Sequence, residues 1–143
     1  MRNRDLAADY VWRAGVRLGA VDVLFDAGSW ADVVRESQEI VELALKGLLR
    51  SVGIEVPRIH DVSEILVAER QRLPEALRGE AEKLGGISKG LRRDRELAFY
   101  GTEDLTPSAF YSREDAVAAR EGARTTVNLV QPFVGGSGLT PPS

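Results

Sequence analysis

Cysteine is absent from the 143 residues, and histidine occurs once, at His60. Without cysteine there is no disulfide framework, no thiolate nucleophile and no Cys-ligated zinc or iron–sulfur centre. A single histidine makes no metal-grade cluster, so neither a metal nor another cofactor is expected. No apolar run approaches the roughly 20 residues that a membrane helix needs. The start, Met1-Arg2-Asn3-Arg4-Asp5, is charged but leads into no uninterrupted apolar stretch with a small-residue cleavage site, so no signal peptide is expected. These absences point to a cytoplasmic protein without membrane contact. Lysine is scarce too, three against sixteen arginines, a bias of composition that identifies no function.

The chain is 43% hydrophobic and 29% charged, the profile of a folded globular protein, and its length suits one domain. Its net charge of −3 is unevenly spread. From Arg70 to Arg95 eight basic residues face four acidic ones, so this segment carries +4 and the remainder −7. A local basic surface can bind phosphate on an acidic molecule, because salt screens charges beyond about 10 Å. The same pattern also fits a solvated helix laced with ion pairs.

Apolar residues at three- and four-residue steps predict a first helix from about Asp5 to Phe25, weakened locally by Gly15 and Gly19. Gly28 suits its C-terminal stop, and Ser29 the N-cap of the next helix. That second helix, about Trp30 to Val52, carries one stripe through Val41, Ala44, Leu45 and Leu48, and Gly53 caps it. Glu42 and Lys46 stand one turn apart in the favourable orientation. Pro57 makes Gly53 to His60 a connector. Asp61 or Ser63 then caps a short helix reaching Ala68 to Arg72. Pro74 fits the first turn of a fourth, Glu75 to Leu84, with a break at Gly85-Gly86. A further helix covers about Ile87 to Tyr100, and Gly101 to Tyr111 reads as an ordered loop anchored by Leu105, Phe110 and Tyr111. Ser112 with Asp115 three residues on opens a last helix that ends near Leu129 or Val130, stopped by Pro132. The domain is expected to span 1–134, with 135–143 a disordered tail. No hairpin pattern or internal repeat occurs, and the fold class is all-α.

Chemistry is sparse. Glu36, Glu39 and Glu42 share one helical sector, which is more often a solvated face than a carboxylate metal site when no histidines accompany it. Neither Gly85-Gly86 nor Gly135-Gly136-Ser137-Gly138 has the strand-before-helix context of a phosphate loop. Ser37 and Ser51 have no nearby base. Trp12, Trp30 and Tyr10 read as core or dimer-interface aromatics. Arg92, Arg93 and Arg95 can clamp a phosphate or nucleotide, with Tyr100 stacking or hydrogen bonding; equally, Arg93 or Arg95 can pair with Glu42 or Glu39.

Three stretches together carry a family resemblance: Glu42-Leu43-Ala44-Leu45-Lys46, the connector Gly53 to Asp61 with its His60-Asp61 pair, and Arg93-Asp94-Arg95-Glu96-Leu97-Ala98-Phe99-Tyr100. Over about residues 5 to 132 the chain resembles the HEPN superfamily, named for higher eukaryotes and prokaryotes nucleotide-binding, in its nucleotidyltransferase-associated prokaryotic form. The resemblance implies an up-and-down bundle of about five or six helices and a homodimer. Members that cleave RNA do so without metal, through an arginine and a histidine four to six residues later, with a tyrosine two past the histidine. Arginine neutralises the phosphate and histidine moves a proton. On that pattern Arg93 and Tyr100 fall into place, while Ala98 stands where the histidine belongs. His60 can replace it only if folding or dimerisation brings it to Arg93. The resemblance therefore implies a nucleotide- or RNA-associated partner of a small nucleotidyltransferase, in a pair like a toxin and antitoxin. The alternatives are a metal-independent ribonuclease using Arg93, Tyr100 and His60, and a purely structural dimeric module.

Overall fold

Thirteen of the 22 residues from Trp30 to Ser51 are buried, from Ala31 and Val33 through to Leu48 and Leu49. In the computed structural model this segment is the central helix, α2 (Trp30–Ser51), packed against α1 (Asn3–Asp26), α5 (Ala81–Tyr100) and α7 (Arg113–Val134). The structure describes residues 3–56, 61–100 and 106–134, with side chains 5–56, 61–92 and 106–134. Helices α3 (Val62–Ala68), α4 (Glu75–Arg78) and α6 (Pro107–Phe110) are short, and a 3₁₀ turn covers Arg70–Arg72. The described residues thus form an all-α bundle of seven helices, two of them a single turn long. No helix among them is long and apolar enough to cross a membrane.

α1 runs antiparallel to α2, because Arg17 meets Glu36 and Glu39 at one end of the pair while Gly47 meets Ala7, Tyr10 and Val11 at the other. A hydrophobic cluster fills the space around α2, drawing Val11 and Val21 from α1, Leu66 from α3, Leu84 from α5 and Val127 and Val130 from α7. The turn between α1 and α2 needs Gly28, whose φ of +73° lies in the left-handed region. Gly53, at +82°, does the same after α2.

Several boundaries differ from the sequence expectation, each for a local reason. The fourth helix stops at Arg78, and α5 runs from Ala81 straight through Gly85-Gly86. A Cβ at Gly85 would lie 3.4 Å from the Ser63 carbonyl oxygen and 3.5 Å from Val67, so this glycine sits where α3 crosses α5. Packing overrides its low helix propensity. α7 continues past Pro132 to Val134, because Val130 and Val134, one turn apart, are both buried. Pro132 cannot donate to the Asn128 carbonyl, but Asn128 is exposed and water can serve it. Within the expected loop, Pro107–Phe110 forms a helical turn capped by Thr106, which accepts from the Ala109 N–H. Tyr111 is buried there, whereas Phe110 is not. Leu105, the residues 57–60 of the connector and the expected tail 135–143 lie outside the described residues.

The caps are mostly those that the sequence suggests. Asp61 rather than Ser63 opens α3, accepting from the Ser63 N–H at 2.9 Å and from its hydroxyl at 2.7 Å. Ser112 and Asp115 form the reciprocal cap of α7: the Ser112 N–H donates to the carboxylate at 2.8 Å, and the Asp115 N–H donates to the hydroxyl at 3.2 Å. Ser29 stands at the start of α2 but caps no N–H; its hydroxyl donates to Asp32 instead.

Candidate functional site

The acidic sector of α2 is a seam between helices and not the solvated face that its composition suggests. Glu36 is 9% exposed. Arg17 of α1 reaches it, the Nε donating to Oε1 at 2.7 Å, while the same guanidinium donates to Glu39. Arg35 adds a second cation to Glu39 at 3.6 Å. Burial alone would lower the pKa of the Arg17 guanidinium; the hydrogen bonds and charges of Glu36 and Glu39 outweigh that and raise it. The arrangement is a one-sided fork, one arginine held by two carboxylates, and it fixes α1 against α2.

One turn further on, Glu42 looks toward α5. Arg92 lies 3.9 Å from Glu42 and 3.7 Å from Asp61, so the guanidinium joins α2, the cap of α3 and α5. Burial would raise the Asp61 pKa, but the two Ser63 hydrogen bonds, followed by Arg92 and Lys89, lower it from its ordinary value. Asp61 therefore stays ionised wherever the protein is folded at ordinary pH. Lys46, the residue expected to pair with Glu42, makes no ion pair among the described residues. Instead it lines a cleft of about 210 Å³ with Arg17, Glu39, Glu42 and Leu43.

Of the residues that the sequence singled out, the structure thus brings together Glu42, Asp61 and Arg92, with Lys46 beside Glu42 in the cleft; it adds Lys89 near Asp61, and Arg17 at Glu36 and Glu39. Among the described residues Arg92 meets the Glu42 carboxylate, and Arg17 and Arg35 meet Glu39. Arg93, Arg95, Ala98 and Tyr100 lie in α5, with side chains outside the described residues; His60 falls outside them altogether. No group of three or more His, Cys, Asp or Glu suited to a metal occurs among the described residues. Trp30 packs partly buried against the core and edge-on to Phe25, with ring centroids 5.1 Å apart. Arg120 lies over the Phe25 ring, 3.6 Å from its centroid, and with Arg124 it pairs with Asp22.

Arg17 was missed because nothing local marks it: its partners stand 19 and 22 residues away. The signal available in the sequence was indirect, an arginine within the mostly apolar stretch Ala14 to Phe25 and three glutamates three residues apart on the neighbouring helix.

Two of the three stretches that drew the family resemblance, Glu42 to Lys46 and the end of the connector at Asp61, therefore meet α5 at one polar junction. No curated protein and no solved structure matches the chain. The family model of the HEPN domain matches residues 7–132, from the first turns of α1 almost to the end of α7. With nearly its whole length covered, the chain belongs to the HEPN domain family.

Proposed function

We propose that this chain is a non-catalytic, nucleotide- or RNA-associated HEPN protein of the cytoplasm. It acts as a homodimer and as the partner of a small nucleotidyltransferase in a toxin–antitoxin-like pair. The observation that carries the reading is the junction of Glu42, Asp61 and Arg92, which draws Arg92, the arginine next to Arg93, into a structural ion cluster. The junction stands against the helix in which Ala98 holds the place of the proton-transferring histidine. Alanine moves no proton, so phosphate can be held beside α5 without being cleaved. Arg93, Arg95 and Tyr100 are the residues assigned to hold it, and Lys46 and Lys89 add positive charge near the same junction.

Incubating the purified chain with a structured RNA in the presence of chelator tests this reading, beside Arg93→Ala and Ala98→His. The expected result is no cleavage by the wild type and a gain of cleavage in Ala98→His. Cleavage by the wild type that disappears in Arg93→Ala, with helical content unchanged, would mean a ribonuclease with a displaced acid–base group such as His60. Co-purification with a small nucleotidyltransferase tests the pairing separately.

A further inference from the structure

Helix α1 turns an apolar ridge to solvent. Val16 is 52% exposed and Val23 is 69% exposed, and Gly19 and Ala20 between them are exposed as well. At the helical period these four positions fall within an arc of about 100°, so they form one continuous ridge. The two charged residues of this stretch stand on its opposite flanks and are engaged within the chain, Arg17 with α2 and Asp22 with Arg120 and Arg124 of α7. The ridge is therefore free of charge for its whole length. Gly19 weakens the helix, yet a Cβ there would meet nothing within 4 Å. Among the described residues nothing makes use of its missing side chain; a backbone approaching from outside would.

We propose that this ridge is the contact face of a symmetric homodimer, with α1 packed antiparallel on α1 of a second copy about a twofold axis between Gly19 and Ala20. The inference rests on the self-association proposed above and assigns its face and register. In that register Val16 stands level with the partner's Val23, Gly19 with the partner's Ala20, and Arg13 with the partner's Asp26. The contact is isologous, so each pair occurs twice. Arg13 is 48% exposed, and its contact with Asp9 is long, 4.0 Å. Asp26 is exposed and has no ion pair among the described residues. Helices in contact lie about 8–10 Å apart, a gap that an arginine side chain spans to a facing carboxylate. Opposite charges at both ends with valines between them suit a second copy of this same face. A foreign surface of one sign would satisfy one end and repel the other.

Sedimentation equilibrium on the full chain tests the assignment, comparing the wild type with Gly19→Glu, Arg13→Glu and the double exchange Arg13→Glu/Asp26→Arg. Circular dichroism checks the fold, and Gly19→Glu is expected to keep full helicity because its side chain enters open space. The wild type is expected to be dimeric and Gly19→Glu monomeric. Arg13→Glu should weaken the dimer by roughly tenfold, since attraction becomes repulsion at two ends, and the double exchange should restore it. A wild type that stays monomeric at every concentration overturns self-association itself. A dimer that all three variants leave intact overturns this face alone. A monomer that binds phosphatidylcholine vesicles through Val23 overturns it in favour of a lipid surface.

Discussion

Replacing Gly47 with alanine tests the closest approach of α1 to α2. A Cβ at this position would lie 2.7 Å from the Val11 Cγ2, 3.1 Å from the Ala7 carbonyl oxygen and 3.2 Å from the Tyr10 Cβ. Carbon atoms in good contact stand about 3.5–4.0 Å apart, so the new methyl group enters occupied space. Val11 is 1% exposed and has nowhere to turn, and the Ala7 oxygen belongs to the backbone. Relief requires α1 to move away from α2 along a seam that also carries the Arg17 fork. Overpacking of this kind costs about 1–3 kcal/mol, against about 1 kcal/mol gained from the better helix propensity of alanine. Because a 2.7 Å approach forces a shift, the cost falls in the upper part of that range, the expected net loss is about 1–2 kcal/mol, and Gly47→Val should lose more. Gly86→Ala is the control: its Cβ meets nothing within 4 Å, so only the propensity gain of up to about 1 kcal/mol remains. Urea unfolding followed by circular dichroism at one fixed protein concentration reads both. With a slope of about 1–3 kcal/mol per molar urea, Gly47→Ala should lower the midpoint by roughly 0.5–1 M and Gly86→Ala should raise it. A Gly47→Ala protein as stable as the wild type, or two glycine variants moving in the same direction, would refute the packing argument.

Arg17→Met should cost about 1–3 kcal/mol, less than a fully buried pair would because Arg17 keeps 29% of its side chain exposed. Adding Glu36→Gln should recover part of that loss, and additive effects in the double-mutant cycle would count against the fork. Asp61→Ala should cost about 1 kcal/mol through the lost cap of α3, and Asp61→Asn less, since asparagine also caps. Because the folded pKa of Asp61 lies below its ordinary value of 3.8, its charge stabilises the fold at any pH above that value. The stabilisation fades as pH falls through the lower folded value. The gap in stability between wild type and Asp61→Asn should therefore be flat from neutral pH to about 5 and close below about 4; a gap that widens in acid would contradict the placement of Asp61 beside Arg92 and Lys89.

Where local chemistry decided the structure, the sequence was enough. The stripe of α2 emerges from its spacing alone, Gly28 and Gly53 mark the two left-handed turns, and Ser112 with Asp115 declares the start of α7. Where a distant contact decided, the local rules pointed the wrong way. Gly85 looked like a break because glycine disfavours helices, and only the crossing of α3 explains why the helix passes through it. Pro132 looked like a stop, and only the burial of Val134 carries α7 beyond it. The outer ridge of α1 was hidden for a different reason. That helix is apolar on nearly every side, so periodicity cannot tell the face that packs on α2 from the face that meets water.

The site was legible in its residues and not in its pairings. Nothing in the sequence sets Arg92 apart from Arg93 and Arg95, but successive residues of a helix point about 100° apart, so it is the rotation of α5 against α2 that brings Arg92 to Glu42. Leu84 and Leu91 of the same helix pack into the core and so help to set that rotation. The same reasoning separates three glutamates of one helical sector. Glu36 and Glu39 face α1 and hold Arg17, while Glu42 faces α5 and holds Arg92. One acidic row on the central helix thus fastens two neighbours by their cations, and Asp61 adds the third element at the α5 end. A change that shifts α5 relative to α2 must break the Arg92 pair before it disturbs Arg17. Loss of Glu42 is therefore expected to loosen α5, and with it the segment that carries Arg93 and Tyr100, while leaving the pairing of α1 and α2 in place.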